Sequence, residues 1–200
     1  MAIRIKTVWF RNAGGRSAAD ISSVLASTLW RLADNAVTDL SRANYGIFTP
    51  ERGLRLIGEL CAFLLHMADR MLYGRVSEQE RAQLVQHTGR RLAEIVQDNV
   101  REIVGDDGFD YKANFIDFLN RRSADYATFE ASGERPSFPM LRYLGHAAEE
   151  LMTDEDRPWV GAQVMEVQAP EALGALKKQI DGLLEQPSGP SRQGVHVAGD

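Results

Sequence analysis

Four residues with chemistry in their side chains, Glu59, His66, Asp69 and Arg70, fall inside one apolar run, GELCAFLLHMADRMLYG, from Gly58 to Gly74. Two carboxylates, an imidazole and a guanidinium within about three helical turns could hold a ligand or a metal, or move protons. Drawn at about 100° per residue, the segment has two sides. Leu60, Cys61, Leu64, Leu65, Met67, Ala68, Met71 and Leu72 cover one arc. Arg52, Arg55, Glu59, His66, Asp69, Arg70 and Tyr73 cover the other. Such segregation reads first as an amphipathic helix with a solvated charged stripe. Phe63 opposes that reading, because with Ala62 it lies in the polar arc between Glu59 and His66. A helix covered on both sides would turn these polar groups towards others in a closed interior, as bundles do when they build sites. Glu59, Phe63, His66, Asp69 and Arg70 are therefore the first ligand-binding candidates.

Other segments carry matching groups. Glu80, His87, Arg91, Glu94 and Asp98 share one stripe, and His146 is followed by Glu149 and Glu150. Imidazole with carboxylate suits iron, manganese or zinc. Glu59, His66, Asp69, Glu94 and His146 thus define one alternative, a metal- or cofactor-dependent bundle enzyme with a buried site. The order of residues speaks against the di-iron pattern, which is Glu-x-x-His. Here it is reversed, His66-x-x-Asp69 and His146-x-x-Glu149, and no Glu-x-x-His occurs.

Arg122 lies among Tyr111, Phe115, Phe118, Leu119, Tyr126 and Phe129 on one arc of a further helix. The plain expectation is a core-facing aromatic stripe whose arginine stacks on Phe118 and Tyr126; the other is a lined pocket. In both, a buried arginine needs an anion, and Glu59, Asp69 and Glu94 are the candidates. Arg122 completes the ligand-binding set. The run GDDGFD, from Gly105 to Asp110, lacks the spacing of a calcium loop and reads as turn chemistry. No phosphate loop, nucleophile elbow or zinc-protease motif is present. No cofactor is named by any motif.

The elements that must position these residues announce themselves by their ends. Ser17 with Asp20 caps a helix with apolar residues at Ile21, Leu25, Leu29, Leu32, Ala36 and Leu40. Thr49 and Pro50 open the helix just described, which stops at Gly74. Ser77 and Glu80 form a capping box for the next, which ends at Gly105. The link of Gly74 to Val76 is so short that these two helices must be antiparallel neighbours. A fourth helix spans about Tyr111 to Glu130, followed by a loop with Gly133 and Pro136. A fifth starts near Pro139, and the remainder is two helices or one bent at Pro170. Gly58, Gly89, Gly145 and Gly161 inside helices read as close helix contacts.

The fold expected is all-α: a single-domain antiparallel bundle of five to seven helices over 1–186, with an extended N-terminal arm over 1–16. The arm, IRIKTVWF, is the one strand candidate, and it suggests a homodimer in which two arms pair. The tail over 187–200 is expected to be disordered. With 200 residues, a formal net charge of −5 and a pI of about 5.4, the chain is a poor nucleic-acid binder. No apolar run approaches the ~18 residues that span a bilayer. The lone cysteine, Cys61, excludes an intramolecular disulfide and any multi-cysteine zinc site, and it points to the cytoplasm. The function expected is a non-enzymatic binding or interaction protein, homo-oligomeric, with a protein or small molecule as partner.

Overall fold

The computed structural model describes residues 17–47, 49–132 and 134–184. The expected arm (1–16) and tail (187–200) lie outside them. The described chain forms α1 (Ala18–Arg42), α2 (Pro50–Leu72), α3 (Glu78–Val104), α4 (Tyr111–Ala127), α5 (Phe138–Leu151), α6 (Arg157–Gln163) and α7 (Ala169–Leu184). The protein is an all-α helical bundle. A ladder of two residues per strand, β1 (Ala131–Ser132) with β2 (Arg135–Pro136), closes the turn between α4 and α5. The plain loop expected from Gly133 and Pro136 is thus corrected to a short antiparallel ladder.

The starts obey local chemistry. Ser17 and Asp20 make a reciprocal capping box, as do Ser77 and Glu80. Thr49, Asp110 and Ser137 each accept a hydrogen bond from a first-turn N–H. Each cap stabilises its helix by about 1 kcal/mol. Gly74 and Gly105 end α2 and α3 with φ of 73° and 81°, a region open to glycine at no steric cost. The short turn between them makes α2 and α3 antiparallel: Asp69 meets Arg81, and Leu65 lies against Gly89.

α2 is the centre of the molecule and touches α1, α3, α4, α5 and α7. Nine consecutive residues, Leu56 to Leu64, are all buried. At 3.6 residues per turn this is about two and a half turns, so no face of the stretch meets water. Cys61 lies in it, fully buried. Burial, and then the nearby carboxylate of Asp34, push its thiol far above the ordinary range, as befits an inert core residue. No helix of the described residues is long and apolar enough to cross a membrane.

The C-terminal part is one continuous helical path. Between α6 and α7, Val164–Gln168 form a π-helical turn in which Ala169 N–H bonds to Val164 O. Pro170 explains it. A proline inside a helix offers no N–H and crowds the carbonyl four residues back, and the wider turn makes room. The bend expected at Pro170 is thus a π-turn just before it. α6 lies close on α5 because both present glycine. A Cβ on Gly145 would stand 2.9 Å from Met165 Sδ and 3.1 Å from the Gly161 carbonyl oxygen. Gly161 is itself covered by the Glu149 side chain.

Two glycine substitutions should therefore diverge. Gly174→Ala, in α7 with nothing within 4 Å of the new methyl, should raise stability by about 0.5–1 kcal/mol through helix propensity. Gly145→Ala should lower it by about 1–3 kcal/mol, since the methyl meets backbone as well as Met165. Urea midpoints of the two variants against the parent decide this.

Candidate functional site

The polar arc of α2 is not a solvated stripe. Glu59 is 6% exposed and His66 9%, and Phe63 between them is fully buried. α4 and α5 cover this side of the helix. The solvated face suggested by the two-sided wheel is corrected for these residues: a wheel separates polar from apolar, but it does not say what lies opposite the polar side. Asp69 and Arg70, one turn on, are half-buried.

Glu59 meets Arg122. The guanidinium of Arg122 donates from Nε to Glu59 Oε2 at 2.7 Å and from Nη2 to Oε1 at 2.5 Å, the two-bond fork that arginine and carboxylate form best. Its Nη1 donates to the Tyr143 hydroxyl at 2.6 Å, and that hydroxyl donates to Asp125 Oδ2. The guanidinium also lies over the rings of Phe118 and Tyr143, 5.5 and 5.4 Å from their centroids. Of the stacking partners expected, Phe118 is found and Tyr126 is replaced by Tyr143. Burial, then the bond to Asp125, push the Tyr143 phenol up to about 12. Of the three anions considered for Arg122, Glu59 is the partner. Asp69 binds Arg81 instead, and Glu94 binds Arg91 and Lys112.

Behind this network lies Tyr126. It is fully buried, and its hydroxyl has no hydrogen-bond partner among the described residues. Its ring packs on Phe63 (5.8 Å between centroids), stacks on His66 (5.6 Å, 30° between planes) and meets Tyr143 edge-on (5.2 Å, 85°). His66 has this stacking but makes no hydrogen bond among the described residues. Burial holds its pKa below the ordinary value; Asp69 acts the other way and Arg70 with burial. The imidazole is therefore neutral near pH 7, with one nitrogen a donor and one an acceptor.

His66 and Asp69 open onto a groove of about 250 Å³. α2 contributes Ala62, Leu65, His66 and Asp69, α3 contributes Arg81, Ala82, Val85 and Gln86, and α4 contributes Leu119 and Ser123. Asp69 Oδ1 accepts from Arg81 Nη1, while Arg81 Nε and Nη2 donate to the two oxygens of Glu78. A second hollow, of about 360 Å³, is lined by Phe118, Arg121, Arg122, Ala124 and Asp125. All five belong to α4, and Arg122 is already held by Glu59.

The six candidates thus divide. His66 and Asp69 line the groove, Glu59 and Arg122 form an internal ion pair, Phe63 is core, and Arg70 is half-buried outside the groove lining. The metal set does not assemble. Among the described residues no three or more His, Cys, Asp or Glu groups stand where they could hold one ion. Glu59 is taken by Arg122 and Glu94 by two cations, and the His146 side chain is 62% exposed beside Glu149 and Glu150. The GDDGFD run is turn chemistry as expected: Asp106 and Asp107 accept from Gly108 and Phe109 N–H, and Asp110 caps α4. Sequence reasoning missed Tyr143, Asp125 and Arg81. For Arg81 a signal existed, because residues 69 and 81 are equally far from the turn at Arg75 and must meet in an antiparallel pair. No family model, no curated protein and no solved structure matches the chain.

Two predictions follow from the geometry. Arg122→Met strands a buried carboxylate and should lower stability by about 3–5 kcal/mol, whereas Glu59→Leu combined with Arg122→Met should recover most of that loss; chemical denaturation of the three proteins tests it. The second concerns pH. His66 has a folded pKa below its ordinary value of 6.5, so as pH falls the unfolded chain takes the proton first. Stability is full above that value and declines below it. Melting temperature should fall between about pH 7.5 and about pH 5.5, and His66→Gln should flatten that slope. Asp69, Arg70, Arg81 and Tyr126 are the other titratable groups around the ring.

Proposed function

We propose that this protein is a non-catalytic binding module, and that the groove between α2, α3 and α4 is where it takes a small molecule. What supports this is His66. Its imidazole is largely buried, makes no hydrogen bond among the described residues and lines an open groove with an apolar floor, so its ring nitrogens are offered to whatever occupies that groove. Small-molecule sites are concave, mostly apolar and furnished with a few convergent polar groups. A groove of about 250 Å³ suits roughly ten non-hydrogen atoms at about 20–30 Å³ each. Tyr126, packed edge-on against Tyr143, stacks on the ring of His66 and holds it in place, while Glu59 and Arg122 are committed to one another, which favours binding over chemistry.

Self-association is the second part of the proposal. Its support is the exposed apolar side chains of Ile103 and Val104 at the end of α3 and of Phe109 in the loop that follows, surface of the kind that subunit contacts cover. A cytoplasmic setting is supported by the lone buried thiol of Cys61.

Titration with a pool of small aromatic and aliphatic fragments, read on the His ring resonances, tests the groove. His66 should shift while His87 and His146 stay still, and Ala82→Trp, which fills the mouth from an exposed position, should abolish the shift. An unmoved His66 at millimolar fragment would sink the proposal. Mass in solution tests the second part: a dimer that Val104→Glu returns to monomer is expected.

A further inference from the structure

The chemistry of the groove also selects among ligands, an inference that rests on the groove being the binding site. The groove holds two charged side chains, Asp69 and Arg81. Arg81 is not free to receive an anion. Three of its N–H groups already point at carboxylates, one at Asp69 and two at Glu78, and its guanidinium lies over the Tyr73 ring at 5.4 Å. Two carboxylates on one guanidinium leave an excess of one negative charge. A carboxylate or phosphate entering here would face that excess and would have to displace Glu78 or Asp69 to gain an arginine bond. Arg70, whose charge is felt at His66, does not line the groove.

Acceptors, by contrast, are on offer. Asp69 uses Oδ1 for Arg81, and no hydrogen bond among the described residues occupies Oδ2. One turn earlier on the same face, at a spacing that makes helix side chains neighbours, His66 is more than nine-tenths buried and presents a ring nitrogen with no hydrogen-bond partner among the described residues. Below these two acceptors the floor is hydrocarbon: Ala62, Leu65, Val85 and Leu119. Donors of a bound molecule therefore belong at the Asp69–His66 end, and its carbon body belongs on the floor.

We infer that the groove takes a small amine, whose N–H groups are shared between the Asp69 carboxylate and the His66 ring while its apolar body lies on Leu65, Val85 and Leu119. An ammonium gains most, since a hydrogen bond to a charged acceptor in a partly dry site exceeds one between neutral groups. Gln86 and Ser123, at the rim, can meet a second polar group of the ligand.

Three probes of one size separate the classes: benzylamine, benzyl alcohol and benzoate, each titrated into the full-length protein while His66 ring resonances are followed. Benzylamine should bind saturably, at least about tenfold tighter than benzyl alcohol, and benzoate should leave His66 in place. Asp69→Asn should weaken benzylamine about tenfold and benzyl alcohol hardly at all. Benzoate binding as tightly as benzylamine would overturn the amine while leaving the groove as the site. So would a benzylamine affinity that is indifferent to Asp69→Asn in a variant whose ring resonances show it folded. If none of the three probes moves His66, both the ligand class and the groove fail together. The three-probe comparison on the unaltered protein stands even if Asp69→Asn does not fold.

Discussion

A carboxylate withdrawn from water has to meet a cation, and here that requirement ties three helices together. Glu59 sits in the part of α2 that is buried on every side, where an unpaired charge would cost several kcal/mol. Arg122 answers from α4 with a planar fork and passes the connection through Tyr143 on α5 to Asp125. Contacts between leucines tolerate sliding. A fork has a plane and two bond directions, so it fixes how α4 lies across α2. A lysine, a point charge on a flexible stem, would give neither the plane nor the stacking on Phe118 and Tyr143. The ring of His66 inherits this order through Tyr126, which packs between the network and the groove.

The other end of the bundle is organised by size instead of charge. Gly145 and Gly161 let α5 and α6 approach until side chains of one helix lie on backbone of the other. The π-turn before Pro170 then carries the chain into α7, whose buried Ala172, Leu176 and Ile180 return to α1 and α2. A helix with an added residue in one turn changes phase without breaking. That lets one path serve two neighbours, α5 first and the α1–α2 pair after it.

Much of this was legible in the sequence where the cause is local. Ser17, Thr49 and Ser77 cap their helices through atoms three residues away, and Gly74 and Gly105 stop them by a backbone angle, so a short window holds the whole explanation. The pairing of Asp69 with Arg81 was legible in principle, because the tight turn fixes the register. What lay beyond the sequence was the identity of whatever covers the polar arc of α2. Glu59 and His66 have the periodicity of a wet face, and only Phe63 in their midst marked a covered one. Arg122 could be given a partner by necessity but not by name, since Glu59 is 63 residues away and Glu94 and Asp69 fitted equally well. The choice was made by helix crossing. The ladder at Ala131–Ser132 and Arg135–Pro136 carries too few residues to show an alternation, so no pattern betrayed it.

Cys61 turns the central position of α2 into something measurable. It is the one cysteine in 200 residues, and it is fully buried in a helix that touches five others. Only the thiolate reacts with alkylating reagents, and the folded protein holds this thiol both protonated and out of reach. Modification must wait for α2 to come away from its neighbours, an event close to opening of the whole core. The rate at which the protein consumes one equivalent of reagent is therefore a clock for that opening, carried in the native chain without any label or substitution.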